Sequence, residues 1–169
     1  MIDLHVHILP GLDDGPATLH EALFMARAAV EDGTRTLVAA PHCLNGVYEN
    51  DRQGILSACE AFRSALKQNE IPLTVLPGSE VRLSPEILSE LRKGRLMTIN
   101  DGSRYLFLEL PDTFLLPGTL RLIQHLQAEG VTAIVTHPER NGTIAREPGI
   151  LSDLIAAGAL SQVTAASLA

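Results

Sequence analysis

From Ile2 to Ile8 the chain alternates: Ile2, Leu4, Val6 and Ile8 are apolar, and Asp3, His5 and His7 fall between them. A side-chain period of two predicts a strand, with His5 and His7 on one face. Thr18-Leu19-His20-Glu21 then has the spacing of a capping box, and Leu19, Ala22, Leu23, Ala26, Ala29 and Val30 recur at helical spacing up to Gly33. Residues 36–40 form a short apolar run ended by Pro41-His42-Cys43, and residues 73–77 form another, followed by Gly78-Ser79-Glu80. Further strands are predicted over 105–110, 131–136 and 160–164. Helices are predicted over about 51–68, from Ser84-Pro85 to Lys93-Gly94, over 118–129 and over about 147–157. In the first of these, Ile55, Cys59, Phe62 and Leu66 share one face.

Strands and amphipathic helices thus alternate with a period of about 30 residues, which implies parallel pairing and right-handed crossovers. The fold class is α/β, with about six parallel strands and five helices, as a barrel or an open sheet. No Gly-x-Gly-x-x-Gly follows the first strand, so a dinucleotide site is not indicated. No linker or low-complexity stretch divides residues 1–169, and a single domain is expected.

Composition narrows the functional classes. Thirteen basic against twenty acidic residues give a formal charge of −7. That balance argues against nucleic acid as a partner, which requires a basic footprint. No apolar run approaches the length of a membrane span, so no membrane insertion is expected, and the N-terminus enters a strand with no basic leader. Cys43 and Cys59 form no Cys-x-x-Cys, and free thiols in a reducing cytoplasm are expected.

The candidate chemistry collects at strand ends, where parallel α/β folds place their sites. His5 and His7 close the first strand, with Asp14 in the Asp13-Asp14-Gly15-Pro16 loop just beyond. His42 follows the second strand, Glu80 the third, Glu109 ends the fourth, and His137 and Arg140 follow the fifth. Bland readings exist for each: Glu80 as a helix cap, Glu109 in a buried ion pair, Arg140 bridged to Glu139. His20 and His125 lie on helices and are read as ordinary surface or core residues. Charged groups at the ends of apolar strands are costly unless paired or coordinated. Imidazole and carboxylate donors without thiolate suit Zn, Mn or Fe, and the set exceeds the need of one ion. A cluster of two or three ions would activate a bridging water and clamp a phosphoryl group, with Arg140 binding its free oxygens. The residues therefore point to a phosphoester hydrolase.

The His5-Val6-His7, Asp-Asp-Gly-Pro, Pro41-His42, Gly78-Ser79-Glu80, Glu109 and His137-Pro138-Glu139-Arg140 stretches resemble the polymerase-and-histidinol-phosphatase (PHP) superfamily. Within it the sequence is most similar to the bacterial manganese-dependent tyrosine phosphatases of capsule and exopolysaccharide operons. The resemblance implies a distorted (β/α)7 barrel with up to three metal sites, manganese foremost. His5, His7 and Glu80 would hold one ion. Glu80, Glu109 and His137 would hold the second, with Glu80 bridging. Asp14 and His42 would belong to the third, which makes Asp14 a catalytic candidate alongside the phosphate-gripping Arg140. The implied substrate is phosphotyrosine on the tail of a tyrosine autokinase that controls polysaccharide export.

That family also carries a later Asp-x-His, a further arginine and a seventh strand, none of which is in residues 159–169. The expectation is an incomplete barrel with at most two tightly bound ions, weak or absent turnover, and self-association or poor solubility through open edges. A histidinol-phosphate-type small-molecule phosphatase and a non-catalytic metal-binding remnant stay open as alternatives.

Overall fold

A computed structural model describes residues 1–168. Its strands are β1 (Ile2–Val6), β2 (Thr36–Ala39), β3 (His42–Cys43), β4 (Thr74–Pro77), β5 (Glu80–Arg82), β6 (Tyr105–Glu109), β7 (Thr132–Thr136) and β8 (Leu160–Gln162). Its α-helices are α1 (Leu19–Glu31), α2 (Arg52–Gln68), α3 (Ile87–Arg92), α4 (Thr119–Ala128), α5 (Gly142–Arg146) and α6 (Gly149–Ala156). The strands pair in parallel in two sheets, ordered β1-β2-β4 and β3-β5-β6-β7-β8.

Two of the strands expected from the sequence each resume, after a break, as a short strand that the pattern does not predict. The one expected over 36–40 is β2, and β3 follows after Ala40-Pro41; the one expected over 73–77 is β4, and β5 follows after Gly78-Ser79. Proline offers no N–H to a ladder, so pairing stops at Pro41. At Gly78 an added Cβ would lie 2.7 Å from Val38 Cγ1, so only glycine lets the two chains pass so closely. Each broken strand leaves one sheet and joins the other, and the sheets are thereby continuous in sequence at both breaks.

Alternation along the strands separates two outer cores from an inner one. Leu106, Leu108, Ala133 and Val135 pack outward with Ile87, Ile123, Leu126 and Leu154. Leu37, Ala39 and Val75 pack with Ala22, Ala26, Ile55, Cys59, Phe62 and Leu66. The intervening residues Val38, Ala40, Phe107 and Ile134 face one another and form an apolar floor inside. Two residues further along, the same inner face carries Glu109 and Thr136.

Helix ends follow local chemistry. Thr18 and Glu21 form the expected capping box of α1, and the Asp51 side chain caps α2. Ser84 does not cap α3. Its Oγ accepts from the Glu86 N–H, and the helix begins later, at Ile87. The helix expected over about 147–157 is α6, which starts just after Pro148, and an unexpected short helix, α5, precedes it, capped by the Asn141 side chain, which accepts from the Thr143 and Ile144 N–H groups. Phe62 is fully buried in the core beneath β2 and β4. Phe62→Ala is expected to cost about 3–5 kcal/mol, read as a lower midpoint in urea unfolding; a midpoint within error of the unsubstituted chain would contradict this packing.

Candidate metal centre

The strand ends open into a cleft of about 720 Å³, lined among others by His5, His7, Asp14, His42, Glu80, Glu109, His137 and Arg140. All the candidate residues of the sequence reading therefore share one rim, while His20 and His125 are exposed on α1 and α4. His5 stacks on Phe107, with ring centroids 4.8 Å apart, so the apolar floor supports the first imidazole.

Glu80 sits at the middle, with a side chain only 1% exposed. Its Oε2 lies 3.5 Å from His5 Nε2, 3.5 Å from His7 Nε2 and 3.3 Å from His42 Nδ1. Its Oε1 accepts from His137 Nε2 at 2.9 Å and from the Thr136 hydroxyl. Burial alone would raise its pKa, but the bonds from His137, His5 and His7 outweigh that and hold it far below the usual carboxylate range. Glu80 caps no helix.

Glu109 does make the ion pair that its position in an apolar strand suggested. Arg82, opposite it in the ladder, donates from Nη1 to Glu109 Oε1 at 2.9 Å. The other oxygen, Oε2, is buried with no hydrogen-bond partner, and so is His42 Nδ1, 3.5 Å away. Two buried ligand-type atoms facing each other without a partner are costly for a folded chain. A cation between them would remove that cost.

Three sets of donor atoms, each lying within 4.8 Å of one another, suit an ion: His5, His7 and Glu80; His42, Glu80 and Glu109; and His7, Asp14 and His42. The first is the set the resemblance implies. In the second, His42 stands beside Glu109 where the resemblance implies His137, which instead meets Glu80 from the other side. His42 is two-faced, with Nδ1 toward Glu80 and Glu109 and Nε2 toward Asp14 at 3.7 Å. The donors are imidazole and carboxylate throughout, a fit for Mn, Fe or Zn.

His137 holds its place under strain. It has φ 33° and ψ 52°, in the left-handed region that a non-glycine residue seldom adopts. Its N–H donates to Gln162 O at 2.8 Å, and the chain turns at once into the Pro138–Arg140 3-10 turn. Arg140 reaches the cleft with no carboxylate within ion-pair distance among the described residues. Glu139 turns away to accept from the Thr164 N–H and Ser167 Oγ.

Several orienting residues were not legible as site residues. Gln162 Oε1 accepts from His5 Nδ1 at 3.0 Å, Asp13 Oδ2 from His7 Nδ1 at 2.6 Å, and Thr136 and Arg82 hold Glu80 and Glu109. The available signals were the acidic residue two before a glycine in the tight loop, and the threonine just before His137. Cys43 and Cys59 are free and buried, and burial pushes their thiols up to about 12 and about 11. Neither is a thiolate at neutral pH.

The family described as "Capsular polysaccharide synthesis, CpsB/CapC" matches residues 1–169. The chain is 41% identical to the tyrosine-protein phosphatase YwqE of Bacillus subtilis, over all of this chain and 66% of that protein. It is 34% identical to the putative tyrosine-protein phosphatase CapC of Staphylococcus aureus, over 99% of this chain and 66% of that one. The tyrosine-protein phosphatase CpsB of Streptococcus pneumoniae is 28% identical, with 96% and 67% covered. A crystal structure from work on YwqE and the pneumococcal CpsB, described as unique metal-dependent tyrosine phosphatases, superposes with a TM-score of 0.95 at 40% identity. It covers 99% of this chain and 68% of that one. The chain thus spans about two thirds of the length of the relatives it matches.

Burial opposes a charge on His7, but its bonds to Asp13 and Glu80 prevail and push it up to about 10. His42 is raised too: burial again opposes, and the Glu109 and Glu80 carboxylates outweigh it. At neutral pH an ion must therefore displace a proton from His7. Ion affinity is expected to rise with pH, by about tenfold per unit for one proton displaced. Competition with a chromophoric chelator at two pH values checks this; an affinity independent of pH would show that no charged imidazole is displaced.

Proposed function

From its membership of the CpsB/CapC family of capsular polysaccharide synthesis proteins, to which the chain belongs, we propose that it is a metal-dependent phosphatase acting on phosphotyrosine in proteins. The observation that carries the reading is the pair of buried, unpartnered donor atoms, His42 Nδ1 and Glu109 Oε2, beside the carboxylate of Glu80. The relatives named as tyrosine-protein phosphatases and the metal-dependent structural neighbour support it.

His5, His7 and Glu80 would hold one ion, and His42, Glu80 and Glu109 a second, with His137 on the far oxygen of Glu80. Asp14, whose side chain is 64% exposed, would complete an outer position with His42. The ions, manganese foremost, would supply Lewis acidity and an activated water. Arg140 would receive the non-bridging phosphate oxygens with its planar fork. His5 on Phe107 and the buried Glu80 keep the ligands rigid, so substrate meets a preformed site. The tail of a tyrosine autokinase in a capsule operon, in the cytoplasm, is the substrate this reading favours.

Chelator is expected to abolish hydrolysis of an aryl phosphate, manganese to restore it, and Cys43→Ser to leave it intact. Chelator-resistant turnover lost in Cys43→Ser would overturn the reading. Arg140→Ala should lower kcat/KM by roughly tenfold to a hundredfold while bound metal stays constant. Unchanged kinetics would remove Arg140 from the phosphate site.

A further inference from the structure

We propose that Asp13 is a positioning residue of the metal centre: its carboxylate fixes His7 with the proton on Nδ1, leaving Nε2 for the ion beside Glu80. The inference rests on the metal reading above. It separates two adjacent acids that the sequence presents as a pair.

Asp13 and Asp14 have opposite fates. The Asp14 side chain is 64% exposed and the Asp13 side chain 1%. Asp13 Oδ2 accepts from His7 Nδ1 at 2.6 Å and from the His42 N–H at 3.0 Å, and Oδ1 accepts from the Gly15 N–H at 3.0 Å. Both oxygens are thus spent on protein donors, so Asp13 is no ligand itself. It ties three segments together: the end of β1, its own loop and the start of β3.

The consequence falls on His7. Its Nδ1 has two carboxylates in reach, Asp13 at 2.6 Å and Asp14 at 3.3 Å, while Nε2 has Glu80 at 3.5 Å. A neutral imidazole has one N–H and one lone pair, and the shorter, charge-assisted bond takes the N–H. His7 then leaves the set that contains Asp14 and serves the ion at Glu80 alone. The bond to the His42 amide places the second imidazole from the same anchor. Gly15 lets the loop wrap this tightly: a Cβ there would lie 2.7 Å from His7 O and 3.0 Å from Asp13 Oδ1.

The test uses the chain with nitrogen-15-labelled histidine, loaded with zinc. Long-range proton–nitrogen correlation is expected to show His7 protonated at Nδ1 and bound through Nε2. Asp13→Ala is expected to weaken zinc binding by about tenfold to a hundredfold, and Asp13→Asn, which keeps an acceptor, by less. A His7 proton on Nε2 in the unsubstituted loaded chain overturns the proposal, whether or not the variants fold. Folded variants with unchanged zinc affinity also overturn it and leave the metal reading standing. An unsubstituted chain that takes up no zinc would overturn both.

Discussion

A carboxylate cannot stay ionised inside a protein unless positive charge or donors surround it, and Glu80 imposes that demand on the whole upper face of the fold. Four imidazoles and a hydroxyl converge on its two oxygens. They come from β1, from β3 and from the end of β7, so the relative placement of these elements answers to one buried charge. The apolar floor of Val38, Phe107 and Ile134 sharpens the demand by keeping water out from below. Arg82, paired with Glu109, plays the same part for the neighbouring carboxylate but neutralises only one of its oxygens.

Much of this was legible because strand ends in a parallel fold obey a simple rule. Alternation in residues 2–8 put His5 and His7 on one face, and the apolar runs before His42, Glu80 and His137 marked where each strand would stop. What escaped depended on contacts between segments distant in sequence. The breaks at Pro41 and Gly78 were visible as residues, but not that the chain would cross between sheets there. Asp13 looked like loop acidity because its partners, the His7 ring and the His42 amide, are named only by the tertiary fold. The helix start at Ile87 and the extra turn at Gly142 were lost for a more local reason: several residues in a row could serve as caps.

The strained backbone of His137 shows how the site is held against local preference. A residue leaving β7 would ordinarily continue extended, and the ring would then point away from the cleft. The left-handed turn, fixed by the bond to Gln162 O and followed by Pro138, swings it back onto Glu80. Gln162 also receives His5 Nδ1, so one β8 residue steadies an imidazole from each of the two sheets.

The strands that pass from one sheet to the other have a thermodynamic corollary. Because His5 and His7 lie on and just beyond the first strand of one sheet and His42, Glu80 and Glu109 belong to the other, an ion bound among them would act as a reversible cross-link. It closes loops that run through much of the chain, as a disulfide would, but with a strength set by supply. The free energy of unfolding would then rise with the logarithm of free-ion concentration once the site is loaded. Abundance of the folded protein would in that way register the metal status of its surroundings, before any substrate is met.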